Sequence, residues 1–258
     1  MIQTSRSAND PKQTSKRQSI APMTHVQSVT IPVEGRKLSA LLQAPPKARI
    51  CYVLAHGAGA GMLHPFLSDI ANGLAERQVA TLRYQFPYME QGSKRPDAPK
   101  LAQATVRAAV FEASRLVPEL SLVAGGKSFG GRMTSQAQAT SPLPGVRGLV
   151  FLGFPLHPAG KPSDERGAHL FKVETPMLFL QGTRDALADV QLMRKLTERL
   201  GSRATLKLIQ DADHSFHVPA RSGRNDADVK TELLDTLMTW LEAIRLQHGQ
   251  EGLDRAYL

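Results

Sequence analysis

Three side chains in this sequence, Ser128, Asp185 and His214, have the types and the order needed for nucleophilic attack on an acyl group. A serine hydroxyl attacks poorly at neutral pH unless a neighbouring base takes its proton, and imidazole is well matched to that task. A carboxylate behind the ring would hold its tautomer and stabilise the charge it acquires. Ser128 is central in Gly126-Lys127-Ser128-Phe129-Gly130. Glycines two residues to either side predict a strand that turns abruptly into a helix, where larger side chains would clash with the crowded backbone. Such a turn lifts the hydroxyl out of the sheet. By itself the pattern has low specificity, so its meaning depends on the elements around it.

Those elements fall where the chemistry needs them. Residues 120–124 form a mostly apolar run into the elbow. Residues 50–55 end in His56-Gly57-Ala58-Gly59-Ala60-Gly61, residues 176–180 in Gln181-Gly182-Thr183-Arg184-Asp185, and residues 204–209 precede the polar stretch holding His214. Each candidate therefore sits just past the C-terminal end of a predicted strand, the edge at which open parallel sheets bind ligands. Residues 26–33 and 38–43 read as an antiparallel pair with Glu34-Gly35-Arg36 in the turn, and residues 79–84 and 149–153 as further strands. Helices are expected over 65–78, 101–117, 132–140, 188–200 and 227–246. In the last of these, Leu234, Leu237, Leu241 and Ile244 recur at helical spacing and should face the sheet. Helices between strands require parallel crossovers. The expected class is α/β: a mostly parallel, doubly wound sheet with an N-terminal antiparallel strand pair.

The order serine, aspartate, histidine is that of α/β-hydrolases. The chain resembles that superfamily, and within it the dienelactone-hydrolase-like branch that includes testis-expressed protein 30 and NSL complex subunit 3. The matching strings are LAHGAGAGMLHPF (54–66), RYQFPYMEQGSKRPD (83–97), GGKSFGGRM (125–133), FLGFPLHP (151–158), LQGTRD (180–185) and DHSFHVP (213–219). The resemblance spans about residues 24–245 and implies a serine hydrolase cleaving an ester, thioester or lactone through an acyl-enzyme, with His214 as base. Dienelactone hydrolases carry cysteine at the elbow. This chain has Ser128 there, and its one cysteine is Cys51; the dienelactone reaction is not implied. Larger relatives insert a lid between residues 156 and 175, but here the stretch holds Pro158, Gly160, Pro162 and Gly167 and is too short for a multi-helix cap. Little or no lid and an open cleft are expected.

An acyl-transfer site also needs donors for the oxyanion, and the backbone N–H groups of Ala58 and Phe129 are the expected pair. Phe86, Pro87 and Tyr88 follow a strand end and are expected to wall the cleft. Each site residue has a structural alternative. Ser128 and Asp185 are both residues that cap helices. Asp189 competes with Asp185 for the orienting role, and His217 competes with His214 for the role of base. His56 reads as a structural loop residue and Cys51 as core. Lys127 and Arg132 flank the elbow; they read either as solvated or ion-paired, with Glu90 or Asp97 as candidate partners, or as a preference for acidic acyl substrates. A scaffold protein on the same fold is the rival to an enzyme.

Composition sets the remaining bounds. A chain of 258 residues with 41% hydrophobic content suits one domain. Residues 1–22 read as a disordered basic tail ahead of a domain over 23–258: the tail is rich in Ser, Thr, Gln and Lys and carries +3 of the +9 net charge. The basic residues beyond it are scattered, so no nucleic-acid partner is expected. A single cysteine suits a reducing, cytoplasmic compartment. No apolar run approaches the roughly 18 residues that would span a bilayer. A small-molecule acyl substrate is expected, with no cofactor and no metal: His214 and His217 are spaced like a ligand pair, but no third ligand is apparent.

Overall fold

The computed structural model describes residues 25–256, with side chains to residue 246. The tail expected over 1–22 lies outside the described residues. Two strands open the fold, β1 (Val26–Val33) and β2 (Arg36–Gln43), paired antiparallel. They are joined at Glu34 and Gly35, which both take positive φ, 44° and 76°. That is the left-handed conformation whose twist suits a two-residue hairpin. Six further strands follow: β3 (Ile50–Ala55), β4 (Ala80–Tyr84), β5 (Ser121–Lys127), β6 (Val146–Leu152), β7 (Met177–Gly182) and β8 (Ala204–Ile209). They form one eight-stranded sheet in the order β1-β2-β4-β3-β5-β6-β7-β8. β2 runs antiparallel to both neighbours and the rest of the sheet is parallel.

Helices cover both faces, so the central parallel strands are buried on two sides, while the edge strand β8 stays partly exposed. On one face α3 (Pro99–Leu116), α4 (Phe129–Thr140) and α5 (Val190–Leu200) pack over Cys51, Val53 and Ala55. On the other, α1 (Pro65–Glu76) and α6 (Asp226–Ala256) cover Ile50, Tyr52 and Leu54. The two-residue alternation along β3 thus sends neighbouring side chains into two separate cores. Leu234, Leu237, Leu241 and Ile244 are all buried, as the helical spacing predicts. Cys51 lies in the first core, where burial pushes its thiol up to about 12. One short helix, α2 (Pro87–Glu90), has too few residues to show a period and escapes sequence reading. Between β6 and β7 the only helical element is a 3-10 helix, Glu165–Lys172, so among the described residues that connection places no multi-helix cap over the C-terminal edge.

The strand order reverses between β3 and β5. From β3 the chain crosses to β4 on one side, and from β4 it returns to β5 on the other. Loops leaving the C-terminal ends of β3 and β5 therefore diverge and leave a crevice between them. β5 enters that point under tight constraint. An alanine methyl at Gly125 would collide with the Val150 carbonyl of β6, and one at Gly126 with the Ala55 carbonyl of β3. Backbone flanks both positions, so relaxation would have to move whole strands. Gly126→Ala is expected to destabilise the fold by about 3 kcal/mol, read as a lowered urea midpoint at unchanged slope. A wild-type midpoint would contradict this account of the elbow.

Candidate active site

Ser128 leaves β5 with φ 50° and ψ −114°, a conformation side chains rarely adopt and one that costs about 1–3 kcal/mol. Its amide donates to the Leu152 carbonyl, and its own carbonyl accepts from the Arg132 amide one helical turn on. Although Ser128 stands at the N-cap of α4, its hydroxyl makes no capping bond. It meets His214 Nε2 at 2.8 Å instead.

On its far side His214 Nδ1 lies 2.7 Å from Asp185 Oδ2. The Asp185 side chain has no exposed surface. It accepts from the Leu187 amide at 2.8 Å and from Gln181 Nε2 at 2.5 Å. Gln181 is also fully buried and accepts the Phe154 amide through its other end, so the amide orientation is fixed from both sides. A carboxylate so held can accept an imidazole N–H at Nδ1, the tautomer in which Nε2 could take a proton from the serine hydroxyl. Asp189, the competing carboxylate, caps α5 by accepting the Leu192 amide at 2.9 Å. His217, the competing imidazole, is exposed and bonds Asp226. Among the described residues no three His, Cys, Asp or Glu side chains gather closely enough to hold a metal ion.

The geometry requires a long reach. Strands lie about 4.8 Å apart, so β8 begins three strand widths, roughly 14 Å, from β5. The loop carrying His214 covers that span by folding back across the sheet edge. It crosses β7 at Gly182, where a methyl would collide with the Ala212 carbonyl and sit 2.7 Å from that of Asp213. It then passes Gly153 at the end of β6, where a methyl would lie 3.5 Å from His214 Nδ1. Within the loop, Asp213 Oδ1 accepts the amides of Ser215 and His217.

On the other side of Ser128 stands the glycine-rich loop after β3. A methyl at Gly57 would lie 3.8 Å from Ser128 Cβ, so the loop and Ser128 are direct neighbours. Residues 57–60 form a turn closed by the Ala60 amide on the Gly57 carbonyl, with Gly59 at φ 70°. Such a turn needs glycine at its third position. The amides of Ala58 and Phe129 donate to no group among the described residues. His56 anchors the loop: Nδ1 meets the Gly57 carbonyl at 2.7 Å and Nε2 accepts the Phe86 amide at 3.1 Å. It is structural, as the sequence suggests.

Three expected cleft residues take other positions. Phe86 has no exposed surface and packs edge-on against His56, Tyr84 and Phe129. Tyr88 is likewise buried, and its hydroxyl accepts the Gly59 amide at 3.0 Å. These aromatics support the glycine loop from behind and do not wall a cleft. Lys127 turns its ammonium inward to donate to the His214 carbonyl, 5.3 Å from the Phe216 ring centroid. Burial pushes it down to about 8, against the opposing pull of the Asp185 and Asp213 carboxylates. Glu90 and Asp97 pair with neither Lys127 nor Arg132: Glu90 accepts from Ser39, and Asp97 from the Tyr88 amide. Gln181, Gly182 and Gly153 are the site residues that sequence reasoning missed; their signal was a polar or glycine residue ending an apolar strand.

Burial lowers His56 from 6.5 to about 4, with the Gly57 carbonyl opposing the shift. The folded protein thus resists a proton that the unfolded chain takes up below pH 6.5. The neutral ring contributes its full stability above that pH and loses it as pH falls towards 4, a change worth about 3 kcal/mol. His169, lowered to about 4 by burial and then by Arg132, acts in the same direction. Urea midpoints should fall across this window and fall less steeply in His56→Gln. Parallel profiles for the two proteins would contradict the assignment.

Comparison with known proteins agrees with this architecture. The chain is similar to a dienelactone hydrolase from Anabaena variabilis, 22% identical over 84% of this chain and 98% of that one, with a TM-score of 0.68. It is also similar to a serine hydrolase without a lid from Xanthomonas campestris, 21% identical over 84% and 95%, TM-score 0.66. Est1E from Butyrivibrio proteoclasticus is 17% identical over 82% and 99%, TM-score 0.61. At these identities the likeness establishes the fold. The family described as an alpha/beta hydrolase domain matches residues 48–242, well over half the sequence, and the chain belongs to that family.

Proposed function

We propose that this protein is a serine hydrolase that cleaves an ester, thioester or lactone through an acyl-enzyme. The observation that carries the reading is the unbroken chain from Ser128 Oγ through both ring nitrogens of His214 to Asp185, at 2.8 and 2.7 Å. In the first step Ser128 Oγ bonds the acyl carbon while its proton passes to His214 Nε2. The carbonyl π pair moves onto oxygen, which the Ala58 and Phe129 amides receive; one such donor is worth about 2.7–4 kcal/mol of the barrier. Collapse expels the alkoxide or thiolate, which takes the proton back from Nε2. Water then repeats the sequence on the acyl-enzyme, frees the carboxylic acid and restores the serine. Asp185 stays ionised throughout and stabilises the imidazolium.

Strained backbone at Ser128 and two nearby amides that donate to no group among the described residues favour catalysis over a scaffold role, which needs neither. The edge without a multi-helix cap among the described residues favours a small or exposed acyl substrate over one swallowed whole. GGKSFGGRM and HGAGAGM support a place in the branch of testis-expressed protein 30 and NSL complex subunit 3. The lone buried Cys51 suits a reducing compartment such as the cytoplasm.

A fluorophosphonate should label the protein at Ser128, and Ser128→Ala should not react. Asp185→Asn should keep the fold and lose about a thousandfold or more in labelling rate, because the ring would then present the wrong tautomer. Equal labelling of wild type and Ser128→Ala would overturn the proposal.

A further inference from the structure

Lys127 presents a charged side chain for which the reaction above has no use. It immediately precedes the nucleophile, yet its ammonium points beneath the opposite partner. Nζ donates to the His214 carbonyl and stands 5.3 Å from the Phe216 ring centroid. Gly153 makes the place available: a methyl there would lie 3.0 Å from Nζ and 3.5 Å from His214 Nδ1. One small volume thus holds the lysine ammonium and the inner nitrogen of the imidazole, with the buried Asp185 carboxylate on that nitrogen.

We propose that Lys127 is a positioning residue for the hydrolase reaction, holding the His214 backbone in place and supplying a fixed positive charge beside the Asp185–His214 pair. The inference rests on the hydrolase reading. Two physical needs converge on this residue. The first is mechanical. The His214 loop crosses the ends of two strands before it reaches Ser128, and the Lys127 bond joins its far end to β5, the strand that carries the serine. The second is electrostatic. Asp185 is a buried carboxylate whose other partners, Gln181 and the Leu187 amide, are uncharged donors. A buried anion of this kind raises the proton affinity of whatever it touches unless a cation offsets it. Lys127 is that cation, placed by its bond to the His214 carbonyl and by the space at Gly153. The charged and titratable groups facing the ring are Ser128 from the β5–α4 turn, Lys127 from β5, Asp185 from the loop after β7, and Asp213 from its own loop. Asp213 is occupied by the Ser215 and His217 amides. Below about pH 8 the lysine keeps its proton.

The test is the rate of fluorophosphonate labelling at Ser128 as a function of pH, in the full-length protein, for wild type, Lys127→Met and Lys127→Gln. Methionine keeps the length and loses both donor and charge; glutamine keeps a donor and loses only the charge. Both variants should melt at a lower temperature than wild type, because removing one charge of a buried pair costs about 3–5 kcal/mol, and each is read below its own melting transition. Both should move the acid limb of the labelling rate upward by about one pH unit, the size expected when a neighbouring charge is removed. Lys127→Met should also lose about tenfold at the plateau. A folded Lys127→Met or Lys127→Gln protein whose acid limb matches wild type overturns the proposal. If either variant does not fold, the other is read in the same way. Wild type that fails to label at all overturns both this inference and the hydrolase reading, whereas labelling with an unmoved acid limb overturns this one alone.

Discussion

The approach of β5 to its neighbours is the constraint on which the rest depends. Four glycines, at 125, 126, 130 and 131, touch backbone so closely that none has room for a methyl group. Gly130 would put one 2.5 Å from the His56 carbonyl, and Gly131 2.7 Å from that of Gly126. The start of α4 is therefore pressed onto the ends of β3 and β5, and the chain has one way to pass from strand to helix. That route places Ser128 at positive φ, above the sheet edge. Packing on both sides over-determines the strain, which is how such a conformation persists.

Glycine also determines how His214 arrives. The loop after β8 must lie almost flat on the sheet edge to bring an imidazole to Ser128, and Gly182 and Gly153 are the two stations where its backbone passes closest. Side chains at either would lift His214 from the hydroxyl. Once there, the ring is held by partners from three directions: Asp185 at Nδ1, Ser128 at Nε2 and Lys127 on its own carbonyl. The opposite wall is held differently. His56, Phe86 and Tyr88 support the glycine-rich loop from beneath through one imidazole, one amide and one phenol. In the proposed reaction a loop so supported would hold the Ala58 amide in place for the anionic transition state.

Much of this was legible in the sequence. Strands and helices followed from apolar periodicity, because each buried face needs it. Ser128, Asp185 and His214 stood out by type and by their place after predicted strands. What escaped was information held in distances between elements. Phe86 and Tyr88 follow a strand end just as Asp185 does, but periodicity is silent on whether a residue there turns inward or outward; both turn inward. Lys127 looked like a surface charge because lysines usually are. Only the empty volume above Gly153, formed by a segment 26 residues away, shows that an ammonium fits there. Asp185 and Asp189 are alike in local sequence, and α5 separates them by taking Asp189 for its cap. Gln181 ends a strand unremarked until its two bonds to Asp185 and the Phe154 amide are seen.

The most direct test of the proposed assembly is a crystal structure of the protein after reaction with a fluorophosphonate. The phosphorus should be bonded to Ser128 Oγ, with one non-bridging oxygen within hydrogen-bond distance of both the Ala58 and Phe129 amides. His214 should remain on Asp185 and close to Oγ. A phosphonyl oxygen turned to solvent, away from those two amides, or an adduct on any other residue, would contradict the account.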